Sequence, residues 1–116
     1  MRRISPFLAV AALAATACFS ETPAPVEPAP SKTATVQASA TSNVFSPQVT
    51  TISAGGSVTW TFGTRNHNVT FIATPGAPTN IPTTTNNQAS RDFTQPGTYA
   101  YACTLHPGMI GTVVVK

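Results

Sequence analysis

The chain has 116 residues, among them 11 prolines, with six Lys or Arg against three Asp or Glu, 41% hydrophobic and 8% charged residues. That length accommodates one domain, and the composition is too apolar for a solvated disordered chain while carrying about a third of the charge usual for a globular protein. Ser, Thr, Asn and Gln must supply the polarity, which favours Thr-rich strands over charged amphipathic helices; two of the six cations are Arg2 and Arg3, so the formal charge of +3 leaves no basic patch for nucleic acid.

Met1-Arg2-Arg3 followed by the apolar run Ile4 to Ala17 reads as a signal peptide over residues 1–17. At 14 residues the run is too short to span a bilayer. The mature protein is therefore expected to be exported, periplasmic or at the cell surface. Ala15-Thr16-Ala17 fits ordinary signal peptidase. Ala14-Ala15-Thr16-Ala17-Cys18 instead resembles a bacterial lipobox, in which Cys18 is lipidated and becomes the first residue, although the usual large aliphatic residue three places before the Cys is missing. An unpaired Cys18 thiol in an oxidising compartment favours the lipid anchor to a bacterial membrane. A Cys18–Cys103 disulfide is a third option, opposed by the role of Cys103 developed below. Residues 18–33 follow as a Pro-rich tether with prolines at 23, 25, 28 and 30. As a polyproline-like spacer, Phe19 to Ser31 reaches at most about 40 Å at roughly 3.1 Å per residue.

Residues 34–116 change character, to period-two runs broken by Gly, Pro and Asn. In chain order, Ala34 to Ala40 and Val49 to Ile52 are short strand candidates. Val58, Trp60 and Phe62 alternate with Ser57, Thr59 and Thr61 after the Gly55-Gly56 turn, as in a half-buried strand. Val69 and Phe71 share the parity of His67. Residues 74–88 read as one long loop, and Arg91 to Thr94 as another short strand. Tyr99, Tyr101 and Cys103 share one parity after the Pro96-Gly97 turn, and Val113 to Val115 close the chain as a β-branched strand. No stretch shows a capped helical period. The class is all-β, a sandwich of about six to eight strands. A domain of this size buries a modest core, to which a bound metal would add stability.

The chemistry concentrates after the Tyr strand, in Cys103-Thr-Leu-His106-Pro-Gly-Met109, a thiol, an imidazole and a thioether around a Pro-Gly turn. The second of the chain's two His residues, His67, lies 36 residues before Cys103. Singly, each has an ordinary reading: a buried small hydrophobe for Cys103, a core filler for Met109, a satisfied polar group for either His. Together they form a soft mixed donor set, and a trigonal His₂Cys site with a long axial Met is the arrangement of blue-copper centres. Zinc more often takes a second Cys or a carboxylate.

On these residues the chain resembles the cupredoxins, small type 1 blue-copper proteins, and the close Cys-x-x-His-x-x-Met spacing is most similar to the amicyanin branch. Plastocyanins and pseudoazurins carry a longer His-to-Met loop. The resemblance runs through Val44-Phe45-Ser46-Pro47, Gly56-Ser-Val-Thr-Trp60, His67-Asn68-Val69, Gly97-Thr-Tyr-Ala-Tyr-Ala-Cys103 and Gly111-Thr-Val-Val-Val. It implies a cupredoxin-like Greek-key sandwich over 34–116 holding one copper ion. His67, Cys103 and His106 would be its equatorial ligands and Met109 its weak axial one. It further implies that the Asn68 N–H donates to the Cys103 sulfur and that the Asn68 side chain ties the two ligand loops together. Amicyanins have a Pro before the second His; here Leu105 keeps an N–H able to give the sulfur a second hydrogen bond and so to raise the potential.

Plastocyanins use a surface aromatic just before the Cys as a remote electron entry point, but Ala102 stands there. The expected electron-transfer edge is therefore His106 with Pro107 and Gly108, in an apolar patch with Leu105, Met109 and Ile110. The resemblance implies a monomeric electron carrier cycling between Cu(I) and Cu(II) and docking redox proteins at that patch, held to a membrane through its N-terminal lipid. Its short ligand loop would let His106 protonate and leave Cu(I) at mildly acid pH. The alternative is a copper-binding or delivery module of the same fold. An enzyme is not expected. Ala102 and Thr104 replace the flanking His residues of a multicopper oxidase, no second Cys stands in the loop for a binuclear site, and Asp92 is the domain's only carboxylate.

Overall fold

The computed structural model describes residues 23–25 and 28–116. The signal peptide read over residues 1–17 and the lipidation site Cys18 lie outside the described residues. Nine strands follow in order: β1 (Thr33–Ala38), β2 (Phe45–Ser46), β3 (Val49–Ile52), β4 (Gly56–Phe62), β5 (His67–Phe71), β6 (Ile81–Thr84), β7 (Asn87–Phe93), β8 (Gly97–Ala102) and β9 (Ile110–Val115). They form two sheets, ordered β2-β1-β4-β7 and β3-β9-β8-β5-β6, each mixed through one parallel pair, β1 with β4 and β3 with β9.

Alternation decides which face each strand buries. In β4, Val58, Trp60 and Phe62 point inward and Ser57, Thr59 and Thr61 outward. On that outer face Thr59 stands opposite Ser90 of β7, their hydroxyls 2.6 Å apart, so Ser and Thr supply the polarity that few charges provide. Edge-to-face aromatic contacts join the sheets. Trp60 meets Tyr101 at 5.4 Å and Phe71 at 5.9 Å between centroids, and Phe45 meets Tyr101 at 4.9 Å. Neither Trp60 Nε1 nor Tyr101 Oη closes a hydrogen bond. Burial pushes the Tyr101 phenol up to about 12, with the Trp60 indole opposing part of that rise, so Tyr101 stays protonated.

Three sequence expectations are corrected. Nine strands replace six to eight, because β2 is a two-residue pairing with β1 that alternation cannot reveal. The stretch 74–88 is not one loop: β6 lies within it, and β7 starts at Asn87 rather than Arg91. Pro82 conceals β6, which is tolerated because β6 is an edge strand, and Ile81 anchors it by burying beside Val69 of β5. The polar residues Asn87, Gln88 and Ser90 conceal the start of β7, which is specified by its ladder to β4 from Phe62↔Asn87 onward.

Both ligand-bearing segments leave the same end of the sandwich. Residues 63–66 leave the C-terminal end of β4 and lead into His67, while residues 103–109 link β8 to β9. The Pro-rich segment attaches at the other end: Ser53 Oγ donates to Pro30 O at 2.6 Å, and Ser57 N–H to Lys32 O at 2.8 Å.

Candidate metal centre

The 103–109 loop is shaped by its own residues. Pro107 and Gly108 occupy the central positions of a turn closed by the Met109 N–H donating to His106 O at 3.3 Å. Gly108 has φ 78°, as the second central residue of a type II turn requires. The Cys103 N–H donates to Met109 O at 2.9 Å, which closes the loop at its base. Since a Cβ on Gly108 would meet nothing within 4 Å, Gly108→Ala should carry only the backbone penalty. We expect about 1–2 kcal/mol in urea unfolding, and less for Gly108→Asn, because Asn tolerates the left-handed region.

The sandwich brings His67 to this loop. Its Nε2 lies 2.7 Å from Ser39 O. A carbonyl only accepts, so the ring proton sits on Nε2 and the Nδ1 lone pair is left facing Cys103 Sγ at 3.8 Å. His106 Nδ1 is 3.5 Å from the same sulfur, and the three ligand atoms lie within 4.8 Å of one another. The imidazole centroids are 4.9 Å apart with the rings at 61°. An ion at about 2.0–2.1 Å from nitrogen and about 2.3 Å from sulfur, with trigonal angles, would separate N from S by about 3.8 Å. The donor set fits such an ion, and it is the only cluster of three or more His, Cys, Asp or Glu groups among the described residues able to hold one.

His67, Cys103 and Met109 are buried, with exposures of 0, 3 and 1%, and His106 is half-buried. The Asn68 N–H donates to Cys103 Sγ at 3.5 Å. The Asn68 side chain spans the two ligand segments, donating through Nδ2 to Thr104 Oγ1 at 2.7 Å and accepting the Thr104 N–H at 2.9 Å. Sequence reading of Asn68 did not identify Thr104 as its partner, nor Ser39 as the partner of His67. No local signal points to either, because both bonds join segments 28 or more residues apart.

Two expectations about the loop change. The Asn68 N–H is the only backbone donor to the sulfur among the described residues, and the Leu105 N–H makes no such bond. Met109 does not contribute to the surface patch, because the loop closure turns it inward; Leu105 and Ile110 are 46 and 54% exposed, beside exposed Pro107 and Gly108. Exposed Arg65 lies within electrostatic reach of His106. The His106 pKa is held below the usual imidazole value, first by partial desolvation, then by the Arg65 charge and by His67.

A two-sheet sandwich with one buried His₂Cys–Met donor set at its end defines the class of small mononuclear copper proteins. The sequence matches the copper-binding proteins of the plastocyanin/azurin family over residues 32–116. The chain belongs to that family, and copper is its metal. It is 38% identical over 117 residues to amicyanin-alpha of Methylorubrum extorquens, covering 97% of this chain and 92% of that relative. A reduced amicyanin mutant superposes with a TM-score of 0.62 at 31% identity, over 72% of this chain and 82% of that one. A mutant fern plastocyanin gives 0.63 at 28% identity, over 71% and 99%.

Proposed function

We propose that the chain is an exported one-electron carrier, a type 1 copper protein with His67, Cys103 and His106 as strong ligands, Met109 as the weak axial ligand and His106 as the electron-transfer edge. The observation that carries this reading is the burial of three donors within a closed sandwich while the fourth reaches the surface. Copper supplies the Cu(I)/Cu(II) couple. The protein supplies a donor set whose positions are fixed by strands and loop closures rather than by the ion, which limits reorganisation when an electron moves. Burial of Cys103 and Met109 supports carriage over delivery of the ion, because a delivery site must present its ligands to a recipient.

Redox partners would dock on the apolar surface of Leu105, Pro107 and Ile110 around His106, with a single monomeric domain sufficient. Residues 1–17 act as the leader in this reading and Cys18 as the lipidated residue. The tether then meets the domain at the end away from the ligands. With β4 spanning seven residues, that is about 20 Å from the copper end, which leaves the surface around His106 clear of the attachment point.

Titrating Cu(II) into protein beginning at Ser31 tests the reading. An intense thiolate-to-copper band with narrow EPR hyperfine splitting is expected, and a pale, ordinary Cu(II) spectrum overturns it. The His106 edge predicts a pH response. Protonation of His106 Nδ1 would compete with Cu(I) more readily than with Cu(II), and would so favour the reduced form. The potential is then flat above the His106 titration and rises by about 59 mV per pH unit below it. Arg65→Ala removes one charge that holds the His106 pKa down and moves the onset to higher pH. Voltammetry across about pH 5 to 8 checks both, and a flat potential throughout overturns the protonation.

A further inference from the structure

Charge is distributed unevenly over the domain. Lys32 lies at the attachment end, where its carbonyl accepts the Ser57 N–H, and Lys116 lies at the same end, its N–H donating to Ile52 O. Asp92 stands opposite Ser57 and Arg91 opposite Val58, in the first half of β4. The Arg91 guanidinium is engaged, with Nε donating to Thr79 O at 2.8 Å and Nη2 to Asn80 O at 2.9 Å. The copper end is made by residues 39–46, 63–67, 84–87 and 103–110, and Arg65 is the only Lys, Arg, Asp or Glu among them. Arg65 is exposed, and its guanidinium has no partner among the described residues. It stands two residues before His67, whose ring meets that of His106 at 4.9 Å between centroids, and its charge reaches the His106 imidazole.

We infer that Arg65 selects the partner: the copper end docks a redox protein that offers a carboxylate beside an otherwise apolar contact face. The inference rests on the carrier reading and adds the partner's chemistry to it. A guanidinium is a permanent cation whose fork of N–H donors matches a carboxylate in two parallel bonds. No neighbouring charge cancels its field. The pair formed by Arg91 and Val58 lies about 13 Å along β4 from the pair formed by Asn87 and Phe62, more than the screening length of about 8 Å at physiological ionic strength. Arg65 alone therefore sets the sign of charge that approaches Leu105 and Ile110, which are 46 and 54% exposed. A second copy of this chain fits this surface poorly, because a two-fold contact through it would bring two Arg65 guanidiniums into one interface.

The test uses the full chain and one haem protein in two charge forms: a basic c-type cytochrome, and the same cytochrome with its lysines succinylated to carboxylates. Stopped flow follows one electron from Cu(I) to the Fe(III) haem, leaving Cu(II) and Fe(II). The wild type should react faster with the succinylated form, and added salt should remove the preference. Arg65→Ala should lower the ratio of the two rates by about fivefold or more, and Arg65→Glu should invert it. A change in copper potential alters the driving force toward both forms alike, so the ratio reads docking alone. Lys116→Ala removes the same charge at the attachment end and should leave the ratio unchanged. The metal-free, ¹⁵N-labelled chain gives a second readout. Its amides at residues 64–66 and 104–110 should shift on adding the succinylated cytochrome and stay in place with the unmodified one. A ratio that Arg65→Glu does not move overturns the inference, as does an equal response to Lys116→Ala. Dimerisation of the wild type through this face, seen in sedimentation and lost in Leu105→Ser, also overturns it. If the copper protein passes no electron to either form, the carrier reading fails, while shifts confined to those amides would still support an acidic partner at Arg65.

Discussion

Cys103→Ser should abolish the intense visible band of the Cu(II) protein completely while leaving the metal-free domain folded. The band requires a thiolate bonded to the ion, and Cys103 is the only cysteine among residues 19–116. A serine hydroxyl is neutral at pH 7, a harder and weaker donor, so remaining copper would be bound by the two imidazoles with an ordinary pale spectrum. The fold should tolerate the change. The side chains are similar in size, and the Asn68 N–H that donates to Sγ at 3.5 Å can donate to an oxygen in the same place. The cost to the metal-free domain is expected to be about 1 kcal/mol. Met109→Leu provides the contrast: it keeps the thiolate, so the band should persist while the potential changes. Visible spectra with thermal melts of the metal-free proteins separate loss of the chromophore from loss of the fold, and a retained intense band in Cys103→Ser removes Cys103 from the site.

The largest stability effect is expected at Gly111, away from the ligands. Gly111 stands opposite Tyr101 in the β8–β9 ladder, and the Tyr101 ring occupies the space a side chain at Gly111 would take. A Cβ there would come within 2.7 Å of the ring carbon Cε2 and closer still to Cζ and Oη. The ring cannot easily retreat, since Phe45, Trp60 and Phe71 surround it edge-on at centroid distances of 4.9, 5.4 and 5.8 Å. Gly111→Ala should therefore destabilise the domain by about 3 kcal/mol or more, lowering the melting temperature by about 10–20 °C. Tyr101→Leu in the Gly111→Ala background frees the space and should recover part of the loss, which a backbone effect at Gly111 would not allow. Tyr101 lies two residues before Cys103, so copper affinity should fall with stability in Gly111→Ala and recover with it in the double variant.

Strands whose inward residues alternate cleanly were legible from sequence: the period-two runs at Val58–Phe62 and Tyr99–Tyr101 became β4 and β8 with the expected faces buried. Strands specified by a neighbour were not. β6 and the start of β7 carry Pro, Thr, Asn and Gln, and they are strands because the edges of β5 and β4 offer them a ladder. The same division runs through the site. Asn68 bonding to the Cys103 sulfur was legible through family resemblance, as was Met109 as a ligand, whereas among the described residues the Leu105 N–H makes no bond to that sulfur and buried Met109 adds nothing to the surface patch. The Cys103 N–H closes the loop on Met109 O, a bond between residues six apart that no local periodicity announces.

By itself the sequence determined the donor chemistry: a thiol, an imidazole and a thioether spaced three apart around a Pro-Gly turn form a local unit whose geometry follows from covalent connectivity and turn preference. It also determined that few charges would cover the domain, so that hydroxyls face solvent and apolar residues flank His106. His67, 36 residues from Cys103, was also legible as the fourth donor; tertiary structure alone decided which groups hold it there, a carbonyl from the turn after β1 on one ring nitrogen with the other facing the Cys103 sulfur. The reason is physical: hydrogen bonds and close contacts between strands far apart in the chain depend on register and sheet order, and neither leaves a periodic trace in the residues that make them.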